Sequence, residues 1–195
     1  MRLLAFGDSF VLGQGDPDRL GWIGRALAGR PEVTLYNLGV RAETSADIAA
    51  RWRAEAKPRL VSHEPVRLVF SFGANDCSSD GGAPRLAAAQ SLLHARAILS
   101  EAARTAPVLM VGPPPMPEPG AAARLEALNE HLKALCGRLQ APFIDVFRPL
   151  AADGLWARDA EAGDGGHPGA AGYQRMADLV AAHPAWRSFT GAPET

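Results

Sequence analysis

A regular alternation of strand and helix signals is the feature that most constrains the fold of this chain. Short apolar runs predict strands, and longer stretches with apolar residues three and four positions apart predict helices between them. Because strands that alternate with helices are typical of parallel sheets, the sequence predicts an α/β fold, a three-layer α/β/α sandwich with a five-stranded parallel sheet in flavodoxin-like order. The expected strands lie near residues 2–6, 33–38, 66–72, 107–112 and 142–147, and the expected helices near residues 21–29, 44–56, 84–105, 121–140 and 169–182.

Length and composition indicate one domain. The chain has 195 residues, of which 47% are hydrophobic and 21% charged, so it can form a sizeable core. We expect this single domain to span residues 1–183. Residues 184–195 are expected to form a loosely held tail, anchored if at all by Trp186 and Phe189.

Charge and cysteine content exclude several classes of function. Lys and Arg number 20 against 21 Asp and Glu, a formal net charge of −1, so no strong field attracts nucleic acid or an anionic membrane. The arginines of Arg51-Trp52-Arg53 are expected on a solvated helix face. Cys77 and Cys136 form no C-x-x-C pair, so neither a disulfide framework nor a zinc site is indicated. No apolar stretch approaches the roughly 20 residues that span a bilayer.

Three polar residues near the two ends of the chain form the combination that nucleophilic catalysis needs. Ser9 follows the apolar run of residues 3–6, at the carboxyl end of an expected strand, where open α/β sheets bind ligands. Asp164 and His167 stand three residues apart in a glycine-rich segment, so one loop can present both. A serine hydroxyl needs an imidazole to accept its proton and a carboxylate to orient that imidazole. Each motif alone is typical of an ordinary turn or cap, but together they predict a serine nucleophile.

An asparagine follows a second buried strand between these motifs. Residues 68–72 are continuously apolar, which is typical of a strand covered on both faces, and Gly73-Ala74-Asn75-Asp76 follows. A side-chain amide at this end of a strand can donate a hydrogen bond to a developing oxyanion. Without Ser9 and His167, an Asx turn would be the favoured interpretation of this pair. With them, we expect the Ser9 backbone N–H and the Asn75 amide to be oxyanion donors.

With these motifs in this order, the sequence resembles the SGNH, or GDSL-type, serine hydrolase family over nearly its whole length. Four separated blocks carry the resemblance, at residues 7–9, 37–44, 73–76 and 164–167. The resemblance implies an SGNH-hydrolase topology for the sheet. It also implies that Ser9 is the nucleophile of an esterase, lipase or acylhydrolase, that Asp164 and His167 complete its triad, and that Asn75 contributes to its oxyanion hole. Nothing in the sequence requires a metal or an organic cofactor.

The second block departs from the family pattern. Relatives usually carry a glycine whose backbone N–H faces the oxyanion, and Ala42 stands at that position here. An alanine N–H can still donate if the local φ is negative, but not easily if φ must be positive. Gly39 is another candidate for the third donor, and the Arg41 side chain is a third.

Two loops are expected to shape a substrate pocket. Residues 113–119 include five prolines, which favour a stiff, extended path. This segment is equally consistent with a rigid wall of the pocket and with a connector that makes no substrate contact. The loop at residues 148–166 carries Trp156, which either covers the site or seals the core.

The combined interpretation is two-step hydrolysis of small-molecule carboxylic esters with short to medium acyl chains, through an acyl-enzyme intermediate. The alternatives are an acyl-thioesterase or lysophospholipase, and a non-catalytic carbohydrate- or lipid-binding member of the same fold. The G-x-x-x-x-G-K-[ST], G-x-S-x-G and H-E-x-x-H motifs of three competing classes are absent. Because removal of a signal peptide would take Ser9 with it, we expect a cytoplasmic protein. The oligomeric state is not indicated.

Overall fold

The fold is that of a computed structural model, which describes residues 1–118 and 120–192. Its strands are β1 (Arg2–Gly7), β2 (Thr34–Gly39), β3 (Val66–Ser71), β4 (Ser79–Asp80), β5 (Ala83–Pro84), β6 (Val108–Val111) and β7 (Phe143–Ile144). Its α-helices are α1 (Ser9–Leu12), α2 (Gly21–Ala26), α3 (Ser45–Ala56), α4 (Ala74–Cys77), α5 (Ala88–Ala102), α6 (Ala121–Leu139), α7 (Phe147–Asp153), α8 (Leu155–Glu161), α9 (Ala170–Ala182) and α10 (Pro184–Thr190). A short 3₁₀ helix spans Lys57–Arg59.

Five of the strands form one parallel sheet in the order β2-β1-β3-β6-β7. The other two, β4 and β5, form a separate antiparallel hairpin. This order is the flavodoxin-like arrangement, so the predicted sandwich is confirmed. Strand β1 pairs with β2 on one side and with the central strand β3 on the other. The carboxyl ends of β1 and β3 therefore lie side by side.

Burial explains why these segments form strands and helices. Residues 3–6 of β1 are fully buried, as expected for a strand with helices on both faces of the sheet. The α6 helix instead buries one stripe, spaced three and four residues apart, and its buried leucines are Leu125, Leu128, Leu132 and Leu135. Among residues 1–118 and 120–192, no helix combines the length and apolar character needed to cross a bilayer.

The structure differs from the predicted elements at three places. The helix expected from residue 84 begins only at Ala88, because the hairpin of β4 and β5 occupies the preceding residues. The strand expected at 142–147 ends at Ile144, because Val146 and Phe147 are buried at the start of α7 instead. Residues 148–166 are not simply a loop, since α7 and α8 occupy most of this segment.

The C-terminal segment also differs from the expected loose tail. Residues 184–190 form α10, in which Trp186 and Phe189 are buried. The Trp186 ring lies 6.3 Å from that of Trp22 in an edge-to-face contact, which holds the helix against the core. Residues 193–195 of the predicted tail lie outside the described residues. That residues 1–183 form a single catalytic domain stays a prediction.

Candidate active site

The candidate site begins where β1 and β3 end. Gly7 is paired with Ser71 across these two strands. A Cβ on Gly7 would lie 2.1 Å from the Ser71 carbonyl oxygen, so only glycine allows the two backbones this approach. The chain then turns immediately into α1, which places Ser9 at the carboxyl edge of the sheet. Asn75 lies four residues beyond Ser71, in the first turn after β3.

Asp8 caps the helix that begins at Ser9. Its Oδ1 accepts a hydrogen bond from the Phe10 N–H at 2.9 Å, which satisfies one of the free donors of the helix start. The helix ends after one turn at Gly13, whose φ of 85° is in the left-handed region. Ser9 is only 5% exposed, so its hydroxyl lies in a recess rather than on the open surface.

The structure brings the three residues predicted for the triad into one hydrogen-bonded chain. The Ser9 Oγ lies 2.8 Å from Nε2 of His167. The Nδ1 of His167 lies 2.9 Å from Oδ2 of Asp164. When Nδ1–H donates to the carboxylate, Nε2 is left as an acceptor for the serine proton, which is the tautomer that general-base catalysis requires.

Two backbone donors fix the orientation of the Asp164 carboxylate. Its Oδ1 accepts from the N–H of Gly166 at 2.9 Å and from the N–H of His167 at 2.7 Å. Burial acts to raise the pKa of Asp164, but these bonds and the contact with the His167 side chain outweigh it and lower the pKa to about 2. Asp164 therefore stays ionised at neutral pH.

Asp8, which precedes Ser9, has an environment that shifts its pKa in the opposite direction to that of Asp164. It is 2% exposed. Burial, with smaller contributions from the carboxylates of Asp76 and Glu43, outweighs the bond from Phe10 and raises the pKa of Asp8 to about 7. Two carboxyls near one serine thus differ in pKa, because burial dominates at Asp8 and hydrogen-bond donors dominate at Asp164.

A glycine of the α1–α2 connection makes room for the histidine loop. Gly15 has a φ of 88°, and a Cβ there would lie 2.7 Å from the carbonyl oxygen of Pro168 and 3.1 Å from Cβ of His167. The Phe10 ring lies on another side of the imidazole, with its centroid 5.1 Å from that of His167. These contacts limit the movement of the ring that faces Ser9.

A cavity of about 380 Å³ opens at the serine hydroxyl. The residues that line it are Ser9, Phe10, Asn75, Met116, Pro117, Glu118, Gly165, Gly166 and His167. Residues 116–118 of the proline-rich segment therefore form part of the cavity wall, whereas Pro119 lies outside the described residues. Trp156 is buried and donates from Nε1 to the Pro115 carbonyl at 2.8 Å, so it seals the core beneath this wall.

Asn75 reaches both the cavity and the second sequence block. It lines the cavity beside Ser9, and its Nδ2 donates to the Glu43 carbonyl at 3.0 Å. A primary amide has two N–H groups, so the second remains for a ligand. The neighbouring Ala42 is not among the residues that line the cavity. Its φ is 61°, in the left-handed region that disfavours alanine.

Gly39 and Arg41 are the other two candidates for the third oxyanion donor. The Gly39 N–H already donates to Oδ1 of Asn37 at 3.1 Å. A Cβ on Gly39 would lie 2.3 Å from the Leu12 backbone nitrogen, so close packing explains this glycine. Arg41, like Ala42, is exposed and is not among the residues that line the cavity.

Two arginines of this site were not identified from the sequence. Arg51 was expected on a solvated face, but its guanidinium binds the Glu43 carboxylate and donates to the carbonyls of Gly7 (3.2 Å) and Leu38 (2.8 Å). Arg85 donates from Nη1 to the Ala42 carbonyl at 2.7 Å. No sequence signal marked either residue, because both act on backbone atoms that are distant along the chain.

The cysteines and the metal-binding residue types form no further site in the described part of the chain. Cys77 and Cys136 are free and buried, and burial raises the pKa of each thiol to about 12. Within residues 1–118 and 120–192, no group of three or more His, Cys, Asp or Glu side chains is placed to hold a metal ion.

Comparisons with known proteins agree with the fold and with the sequence motifs. Similar solved structures include a lipase/acylhydrolase from Enterococcus faecalis, with 21% identity, a TM-score of 0.76 and coverage of 100% of this chain and 98% of that one. A lipolytic protein of the G-D-S-L family from Veillonella parvula has 22% identity, a TM-score of 0.74 and coverage of 92% and 96%. An acetylxylan esterase from Geobacillus stearothermophilus has 18% identity, a TM-score of 0.71 and coverage of 91% of each chain.

At these identities the structural likeness shows the fold alone, and no curated protein matches the sequence. The sequence itself carries the assignment to a family. The model of the GDSL-like lipase/acylhydrolase family matches residues 5–175, which is most of the chain. The chain therefore belongs to the GDSL-like lipase/acylhydrolase family of ester hydrolases.

Proposed function

We propose that this protein is a serine esterase that hydrolyses small carboxylic esters through a covalent acyl-Ser9 intermediate. The observation that carries the proposal is the 2.8 Å contact between the Ser9 hydroxyl and Nε2 of His167 at the mouth of a cavity. A hydroxyl this close to an imidazole nitrogen can lose its proton as it attacks a carbonyl. Asp164 holds the imidazole from its other side.

In the first half-reaction, the Ser9 Oγ attacks the ester carbonyl while His167 accepts its proton. The resulting imidazolium is stabilised by the ionised Asp164, which itself takes no proton. His167 then gives the proton to the departing alcohol as the carbon–oxygen bond breaks. In the second half-reaction, His167 accepts a proton from water as the water attacks the acyl group, and Ser9 is released with that proton.

Three donors are proposed to stabilise the oxyanion of each tetrahedral intermediate. They are the Ser9 backbone N–H, the Asn75 amide hydrogen that is not bonded to Glu43, and the Ala42 backbone N–H. Donors that are fixed before the reaction need no reorganisation when the negative charge develops, so their stabilisation is specific to the transition state.

The cavity supports a preference for short to medium acyl chains. A volume of about 380 Å³ is near the small end of the range for small-molecule sites. Phe10, Met116 and Pro117 provide an apolar wall for an acyl group. The carboxylate of Glu118 at the same cavity disfavours anionic substrates.

The direct test is the intact mass of the protein after exposure to a fluorophosphonate ester. We expect one adduct on the wild-type protein and none on Ser9→Ala, while Ser100→Ala, a serine distant from the cavity, keeps the adduct. The absence of an adduct on folded wild-type protein would contradict the proposal and favour a non-catalytic binding protein.

A panel of p-nitrophenyl esters from acetyl to palmitoyl then tests the substrate class. We expect kcat/KM to be highest for short acyl chains and to fall beyond butyryl. The highest value for palmitoyl would contradict the short-chain preference. Acyl thioesters and lysophospholipids in the same assay test the two alternative activities, and a higher kcat/KM for either would reassign the substrate.

A further inference from the structure

Ala42 is held in a backbone conformation that alanine alone would not favour. Non-glycine residues with positive φ in the described chain are Arg19, Ala42 and Gln140. The Cβ of an L-residue crowds the adjacent carbonyl in this region, so a residue stays there only where neighbouring contacts hold it. The contacts that hold Ala42 are therefore part of how the second block is positioned.

The Arg85 guanidinium provides one such contact. Its Nη1 lies 2.7 Å from the Ala42 carbonyl oxygen, a short distance typical of a charged donor. The next carbonyl along the chain, that of Glu43, accepts from Nδ2 of Asn75. Two successive carbonyls are thus directed at two different side-chain donors, which fixes the peptide between them.

Arg85 and Asn75 belong to one hydrogen-bonded unit. The Arg85 N–H donates to the Ser78 carbonyl at 3.0 Å, and the Leu86 N–H donates to the Asp76 carbonyl at 3.0 Å. The hairpin of β4 and β5 connects Ser78 to Arg85. Arg85 itself is exposed and is not among the residues that line the cavity, so any effect on the substrate passes through the residues it contacts, among them Ala42.

We propose that Arg85 is a positioning residue that keeps Ala42 in the left-handed conformation, so that the Ala42 N–H serves as the third oxyanion donor. This inference rests on the proposed function. When the Arg85 bond is lost, Ala42 relaxes toward negative φ and its N–H turns away from the oxyanion. The loss is felt in the transition state rather than in substrate binding, because the negative charge develops only there. Glycine at position 42 would not need the arginine, since it adopts positive φ without strain.

The kinetic test is a double-mutant cycle with p-nitrophenyl acetate. We expect Arg85→Ala to lower kcat about tenfold, with KM within about twofold of wild type. In the Ala42→Gly background, the same change is expected to lower kcat by less than about threefold. Arg104→Ala is the matched control, because Arg104 also donates from an exposed side chain to a carbonyl, that of Ser100. Equal losses in both backgrounds, or a change in KM alone, would overturn the proposal.

A structural readout keeps this proposal separate from the proposed function. Crystal structures of the wild type and of Arg85→Ala are expected to show Ala42 with positive φ only in the former. A positive φ in both would overturn the proposal even if the enzyme is active. If the wild type hydrolyses no ester, the proposed function fails, whereas these two structures still decide the role of Arg85. If Arg85→Ala does not fold, Arg85→Met, which keeps an aliphatic stem but has no hydrogen-bond donor, takes its place in both experiments.

Discussion

The site has two halves, the group of Ser9, Asp164 and His167 and the segment of residues 42–43, and different kinds of contact position them. Ser9 follows β1 and residues 42–43 follow β2 at the same edge of the sheet, whereas Asp164 and His167 come from the loop after α8. Asp164 and His167 are three residues apart, and backbone N–H groups of their own loop hold the carboxylate. Residues 42–43 are held instead by side chains from three other segments of the chain, which supply Arg51, Asn75 and Arg85.

In the first half, contacts within one loop hold Asp164 and His167 together, and the fold brings this loop to Ser9. The second half depends on long-range contacts throughout. Contacts within one loop join residues that are close in sequence, so a short motif can indicate them. Long-range contacts depend on the tertiary fold and leave no motif. This difference predicts that substitutions in the first half act directly on proton transfer, while those in the second half act through the geometry of donors.

The largest expected effect is the loss of the proposed nucleophile or of its proposed base. Ser9→Ala and His167→Ala should each lower kcat for p-nitrophenyl acetate by at least about 10⁴-fold, because each removes the reacting oxygen or its proton acceptor. His131→Ala, on the exposed side of α6, is the control and should leave kcat unchanged. Turnover near the wild-type level in either variant would exclude the triad, and the first half would then have no catalytic role to compare with the second.

The next effect in size concerns Asn75, which connects the two halves. Asn75→Ala should lower kcat about 10²–10³-fold with little change in KM, because the proposed bond from the amide to the oxyanion exists only in the transition state. Steady-state kinetics with p-nitrophenyl acetate measure both constants. A change confined to KM would show that Asn75 binds the substrate and is not an oxyanion donor.

The length and apolar character of each segment explain which parts of the fold were predictable. Strands β1 and β3 are buried on both faces, so each gives a continuous apolar run. The apolar run that includes Val146 and Phe147 gave an incorrect strand boundary, because a short buried helix start has the same composition. The small hairpin of β4 and β5 was missed, since strands of two residues have too few positions to show a pattern.

Within the site, the sequence was sufficient for the residues with local motifs and insufficient for those without. Ser9, Asn75, Asp164 and His167 were each expected where the structure places them, although their catalytic roles remain proposals. Arg85 was not expected, because an exposed arginine 43 residues from Ala42 is indistinguishable in sequence from a solvated one. Its contribution becomes visible only when the fold brings the two together.

The pH dependence of stability tests the raised pKa of Asp8, the carboxyl beside Ser9. Burial raises the pKa of Asp8, beside Ser9, from its ordinary value of 3.8 to about 7, and Asp76 and Glu43 add to the effect. A group whose pKa is raised by folding favours the folded state below its unfolded pKa, and this stabilisation is lost as the pH rises to its folded pKa. The wild type should therefore lose stability relative to Asp8→Asn between about pH 4 and pH 7.

The size of this effect has an upper bound. The difference between 3.8 and about 7 corresponds to at most about 4 kcal/mol in the free energy of unfolding. Urea unfolding of both proteins at a series of pH values measures it, and asparagine keeps an oxygen that can accept from the Phe10 N–H. A constant stability difference between the two proteins across this range would show that Asp8 does not titrate there.

The smallest expected effect, and the sharpest test of the second half, is that of Ala42→Gly. Glycine removes the strain of a φ of 61°, but it also adds freedom to the unfolded chain, so the free energy of unfolding should change by no more than about 1 kcal/mol. The contacts of Arg85 and Asn75 already hold residues 42–43, so kcat should stay within about twofold of wild type.

Urea unfolding and kinetics with p-nitrophenyl acetate measure both quantities for Ala42→Gly. A rise in kcat of tenfold or more would mean that alanine displaces the third donor in the wild type. The long-range contacts would then fail to position residues 42–43. The two halves would differ because the second half lacks a working donor, and not because different kinds of contact hold them. An unchanged kcat would instead show that side-chain donors from elsewhere in the fold compensate for the alanine.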